Sequence, residues 1–185
     1  MTLQTFQETL VSAQGDGSAL TGAASATCIP AYAKITLPAS YWQIGKALRI
    51  TASGRISCVV TTPGTARFDV RLGAVVAFDS LAIPLNTTAK TSVGWWLELL
   101  LTCRAVGSGT ATNLMGQGRW SSEALIGSAA ATAGGNGLMM LPYNAAPAVG
   151  TGFDGTTAQT LDLFFTQTVA TGSMTLHQYI VEALN

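Results

Sequence analysis

The stretch VGWWLELLLTCRAVGSG, residues 93–109, is the most apolar run of the chain, and how it is read decides the fold. A membrane-crossing helix needs about 20 predominantly apolar residues. This run is interrupted at Glu98 and closed by Arg104, so it does not span. Taken two residues at a time, Trp95, Leu97, Leu99, Leu101, Cys103 and Ala105 share one face, and Trp96, Glu98, Leu100, Thr102 and Arg104 share the other. One wholly apolar face and one mixed face is the signature of a strand with its first side in a core and its second side partly covered. Gly94 before it and Gly107-Ser108-Gly109 after it act as breakers. A short leucine run is also compatible with a helix, and the rest of the chain decides between them.

The same alternation recurs. Ala66–Leu72 places Phe68, Val70 and Leu72 inward and Arg67, Asp69 and Arg71 outward. Ala47–Val60 reads as a long strand or bent pair, with Gly54 marking a bend or bulge. Further strands are predicted at 26–29, 33–37, 74–81, 110–121, 122–126, 160–169 and 173–183, separated by turns such as Thr61-Thr62-Pro63-Gly64, Gly134-Gly135-Asn136-Gly137 and the loop from Pro142 to Thr157. Helical signals are confined to one turn in Pro38–Gly45 and to Leu3, Phe6 and Leu10 at i, i+3, i+7. No internal repeat points to a propeller or solenoid. The expectation is an all-β, antiparallel two-sheet sandwich of jelly-roll type: residues 1–17 form an N-terminal arm or edge segment, and 18–185 a single domain.

Composition narrows the function. Charged residues make up 10% of the 185, against roughly a quarter in an ordinary soluble protein. Nine basic and nine acidic residues cancel. No net field attracts nucleic acid or anionic lipid, so neither a nucleic-acid nor a membrane partner is expected. A surface so poor in charge lacks the self-repulsion that keeps monomers apart, and points to assembly. The N-terminus has no basic region followed by an apolar core, so maturation in a cytoplasm is expected. Cys28, Cys58 and Cys103 are odd in number and widely spaced, as for free thiols packed as small hydrophobes rather than a metal site.

Chemistry-bearing motifs are scarce. His177 is the single histidine, and a regular strand puts it beside Thr175 and Tyr179 on an outer face, opposite Leu176 and Ile180. No Gly-x-Ser-x-Gly elbow accompanies it. Asp69 and Glu98 form a conceivable glycosidase pair if their strands are neighbours, but pairing with Arg67, Arg71 or Arg104 across a sheet is the better reading. The glycine-rich turns lack P-loop and dinucleotide context, Gly152–Gly155 lacks the ligand spacing of a calcium loop, and Asn86-Thr87-Thr88 is a glycosylation acceptor only in a secreted chain. No enzyme, cofactor or metal is expected. Trp42, Trp95, Trp96, Trp120, Tyr32, Tyr41 and Tyr143 are candidates for a sugar-stacking platform or, more simply, for core and interface. Trp96 and Leu100, outward on one strand, make a partner-binding patch.

The segments IPAYAKITLPASYWQIGKALRITASGRISCVVTTPGTARFDVRLG (29–73), WWLELLLTCRAVGSGTATNLMGQGRWSSE (95–123) and GTGFDGTTAQTLDLFFTQT (150–168), in that order, resemble the small β-sandwich capsid decoration, or cement, proteins of tailed bacteriophages. The resemblance implies a structural virion protein on the capsid surface, a homotrimer that contacts the major capsid protein and stabilises the shell. It transfers no catalytic residue. Face assignment supplies the candidate interface: Leu3, Phe6, Leu10, Trp96, Leu100, His177 and Tyr179. An alternative in another class is a receptor- or glycan-binding module of a phage tail or fibre, centred on Trp120, Tyr143 and the loop from Pro142 to Gly155.

Overall fold

The computed structural model describes residues 7–58, 62–126 and 137–185. Leu3, Phe6, the end of the expected strand at Val59-Val60 and most of the glycine turn before Gly137 lie outside the described residues. The strands are β1 (Glu8–Ser12), β2 (Ala26–Thr27), β3 (Ile35–Leu37), β4 (Ala47–Cys58), β5 (Thr65–Leu72), β6 (Val75–Asp79), β7 (Ile83–Pro84), β8 (Lys90–Ala105), β9 (Asn113–Ser122), β10 (Leu138–Leu141), β11 (Gln159–Gln167) and β12 (Ser173–Ala183). They form two antiparallel sheets: sheet A in the order β1-β12-β4-β8-β9-β10, and sheet B in the order β2-β11-β5-β6, with β3 on β11 and β7 on β5. Among the described residues no helix is long and apolar enough to cross a membrane.

The pairing is nested. β1 pairs β12, β2 pairs β11, β4 pairs β8 and β5 pairs β6. The resulting long hairpin is rolled up, so that β12 also pairs β4 and β11 also pairs β5. This is a jelly roll, the sandwich type expected; alternation foretold the strands and the ladder supplies their order, with the β9–β10 pair appended beyond β8.

The opening stretch is the middle strand of sheet A. Trp95, Leu97, Leu99, Leu101 and Cys103 are buried, while Trp96 and Leu100 are 44% and 46% exposed. Each buried leucine contributes about 1.5–3 kcal/mol. The strand begins earlier than Gly94 suggested, because Gly94 keeps its place in the β4 ladder opposite Arg55 and its carbonyl accepts the Ser122 hydroxyl at 2.9 Å. Between the sheets Phe68 packs on Trp120, Trp95 and Phe165, with ring centroids 4.7, 5.2 and 5.2 Å apart. Gly116 leaves the space that the Phe78 ring fills. The three cysteines are free and buried, and burial pushes each thiol pKa up.

Other expectations are corrected. Of the expected strand at 122–126, Ser122 ends β9 and the rest is a turn at Glu123-Ala124 with one bridge, Leu85 to Leu125. Pro38–Gly45 holds turns at Ser40 and Gly45, both at positive φ, and the one 3-10 turn among the described residues is at Ala31–Ala33. β10 went unpredicted, since a four-residue LMML run between Gly137 and Pro142 is too short to show a period.

Candidate binding surface

The outer face of sheet B is closed by ion pairs. Arg71 Nε meets Asp69 Oδ1 at 2.6 Å, Lys34 Nζ meets Asp162 Oδ2 at 2.6 Å, and Arg67 Nη1 meets Asp79 Oδ2 at 2.9 Å. Thr27 Oγ1 donates to the other oxygen of Asp162. The Arg71 guanidinium also lies 3.7 Å from the Phe164 ring centroid and covers it. Asp69, predicted to point outward, does so, yet its side chain is completely covered beneath Arg71.

The outer face of sheet A is built differently. The register sets Gln178, Ser53, Trp96, Ser121 and Leu138 in one row across the strands, and Ile180, Thr51, Glu98, Arg119 and Met140 in the next. Glu182, Arg49, Leu100 and Gln117 form a third. Trp96, Leu100, Leu138, Met140 and Ile180 are all exposed, Met140 by 68%. At their centre Arg119 donates from Nε and Nη2 to Glu98 Oε2, at 3.0 and 2.7 Å. The arginine that Glu98 finds therefore comes from β9, not from the candidates at 67, 71 or 104; strand order, which periodicity does not carry, makes the choice. Arg49 holds Glu182 at 2.8 Å, an interaction that raises the arginine's pKa further. Two shallow hollows lie in this surface. One of about 310 Å³ is bordered by Glu98, Leu100, Arg119 and Met140. The other, of about 500 Å³, is bordered by Trp96, Ser121, Glu123 and Leu138.

The structure sorts the sequence-derived candidates. Trp96 and Leu100 share this face, and Leu10 lies half-buried on β1 at the sheet's edge. His177 is partly exposed, with Nδ1 2.8 Å from Asp16 Oδ1. Tyr179 does not join it: its side chain is 1% exposed, and its hydroxyl is buried with no hydrogen-bond partner among the described residues. The cause is a bulge in β12, where Leu176 faces Gly54 and Gln178 faces Ser53, leaving His177 as the extra residue. Alternation restarts after it, turning Tyr179 inward and Ile180 outward. Gly54 is what permits the bulge, since a Cβ there would run into the Thr175 carbonyl. The bend read at Gly54 is thus expressed on the neighbouring strand. Burial raises the Tyr179 phenol pKa strongly, and that of Tyr41 to about 12.

Two further readings change. Trp120 is fully buried, so it offers no surface for a sugar. Asp69 and Glu98 lie on opposite outer faces of the sandwich, whose sheets stack about 10 Å apart, so they flank no common substrate. Asp154 binds the N–H and hydroxyl of Thr156, which lowers its carboxyl pKa and shapes its own loop. Among the described residues no group of three or more His, Cys, Asp and Glu side chains is placed to hold a metal ion.

Fold and surface together define a jelly-roll protein with one outer sheet face closed internally and the other left open. No protein-family model matches the chain, and no curated protein matches it. Among solved structures it is similar to the CBM2 module of the evolved Dit of Lactobacillus casei BL23 phage J-1, at 10% identity and a TM-score of 0.29, over 80% of this chain and 67% of that one. A likeness at that level carries no functional argument.

Proposed function

We propose that this protein is a structural virion protein of a tailed bacteriophage, a head decoration subunit that binds the outside of the capsid and stabilises the shell. The observation behind it is the outer face of sheet A, where five large apolar side chains remain open to solvent around one ion pair. An exposed apolar patch with few charges suits burial against another protein. The low overall charge and the segment-by-segment resemblance to decoration proteins support the same reading. The homotrimer and the contact with the major capsid protein are what that resemblance implies, and several modest contacts held in one oligomer sum to firm attachment. The role is binding, without catalysis. Light scattering is expected to give a trimer or a multiple of it, and the protein is expected to co-sediment with heads stripped of their decoration. A monomer without affinity for heads overturns the proposal.

A second reading, a glycan-binding module of a tail or fibre, is favoured by one observation. Trp96, alone among the four tryptophans, is exposed, and it borders the hollow that Ser121 and Glu123 also line. Saturable binding on a glycan array that Trp96→Ala abolishes supports it; a silent array counts against it.

A further inference from the structure

We infer that the outer face of sheet A docks against the same face of a second copy of this chain, about a two-fold axis running parallel to β8 and β9 and passing between them. The inference is independent of the decoration reading and goes beyond it, because it concerns which surface meets which.

Charge arrangement selects the occupant. The centre of the face carries one acidic and one basic side chain on adjacent strands, Glu98 on β8 and Arg119 on β9, directly across from each other in the ladder. Both are bound through a single carboxylate oxygen, Oε2, so among the described residues Oε1 and the second terminal guanidinium nitrogen have no protein partner and stay open to one from outside. A two-fold axis along the strands exchanges the β8 and β9 positions. It sets Glu98 of each copy over Arg119 of the other and makes a closed ring of four alternating charges. The perpendicular in-plane axis would stack Glu98 on Glu98 and Arg119 on Arg119, so like-charge repulsion excludes it. An isologous contact needs this kind of self-complementarity.

The neighbours agree with that axis. It lays Trp96 over Ser121 of the second copy, Leu100 over Gln117, Met140 over Thr51 and Leu138 over Ser53, so these four exposed apolar side chains meet uncharged ones, while Ile180 falls outside the contact. Arg49, already held by Glu182, is carried to the chain just past Leu141 and meets no like charge. The axis overlaps β8 with β9 and β4 with β10; strands about 4.8 Å apart with about 3.3 Å per residue then give roughly 450 Å² of face per copy, a small contact that the central charge ring must hold together.

Charge reversal tests this in a way that misfolding cannot imitate. Glu98→Arg leaves two arginines at the centre of the face, and Arg119→Glu leaves two glutamates. Each variant alone is expected to keep the wild-type circular dichroism spectrum and a cooperative melt, at a lower temperature because association no longer adds to stability, but to lose the pairing, halving its mass in light scattering. Mixed in equal amounts, they are expected to restore the wild-type mass, and the double variant Glu98→Arg/Arg119→Glu to pair like wild type. The wild-type mass is expected to be an even multiple of 19.0 kDa. A hexamer fits both this contact and the trimer of the decoration reading, whereas a bare trimer leaves that reading standing and overturns this one. A wild-type monomer, single variants that keep the full mass, or a mixture that stays apart also overturns it.

Discussion

Sheets A and B carry the same kind of outward row, alternating with the same kind of buried row, and yet they end in opposite states. On sheet B, Asp69, Asp162 and Asp79 each find a cation within the molecule, and Arg71 folds down over Phe164. On sheet A, Glu98 and Arg119 find each other, but Trp96, Leu100 and Met140 around them find nothing. An outward strand face is therefore not surface by default. One is completed by its own side chains, and the other is left open to solvent.

Substitutions can break this contrast, and the largest effect comes from the inner side that both faces share. Leu99 is fully buried in the middle of β8. Leu99→Asp places an unpaired carboxylate in the core at a cost that matches the whole stability of a domain, about 5–15 kcal/mol, and is expected to yield unfolded protein by circular dichroism. Next is the closed face: Asp69→Ala strands Arg71 and uncovers Phe164, and denaturant titration is expected to show a loss of about 3 kcal/mol. Glu98→Ala, the matching change on the open face, removes a solvent-exposed pair and is expected to cost less than about 1 kcal/mol. Equal losses from Asp69→Ala and Glu98→Ala would erase the distinction between the faces.

The residue that changed sides sharpens it further. Tyr179 buries a hydroxyl that has no partner among the described residues, so Tyr179→Phe is expected to be neutral or to stabilise by up to about 1 kcal/mol in thermal melts. The pH response follows with its sign. Cys28, Cys58, Cys103, Tyr41 and Tyr179 all have pKa values raised in the folded state. Stability is full below the ordinary thiol value of 9.0 and falls above it, as the unfolded chain releases protons that the folded chain retains. Tyr179→Phe is expected to lessen that alkaline fall. The smallest effect on stability belongs to Trp96→Ala, within about 0.5 kcal/mol, although association is expected to weaken by tenfold or more.

Legibility in the sequence divides along the same physical lines. Strand period is a local property, so the two faces of β8 and the inward set Phe68, Val70 and Leu72 could be read directly. Whatever depends on the neighbouring strand could not. The partner of Glu98 depends on β9 lying beside β8, the burial of Asp69 on Arg71 folding over it, and the inward turn of Tyr179 on a bulge opposite Gly54. The open patch was half visible: Trp96 and Leu100 were found by alternation, while Leu138, Met140 and Ile180 reach it through a strand too short to predict and through the shifted register.

The nested pairing also dictates the order in which the protein can be made. β4 and β5 emerge early from a ribosome, but each has a late strand as one of its two ladder partners, β12 and β11 respectively. Until those strands appear, two long apolar strands each expose an unpaired edge. The sandwich can therefore close only once β11 and β12 have been made, by long-range pairing of the kind that slows folding and leaves the newborn chain prone to aggregation.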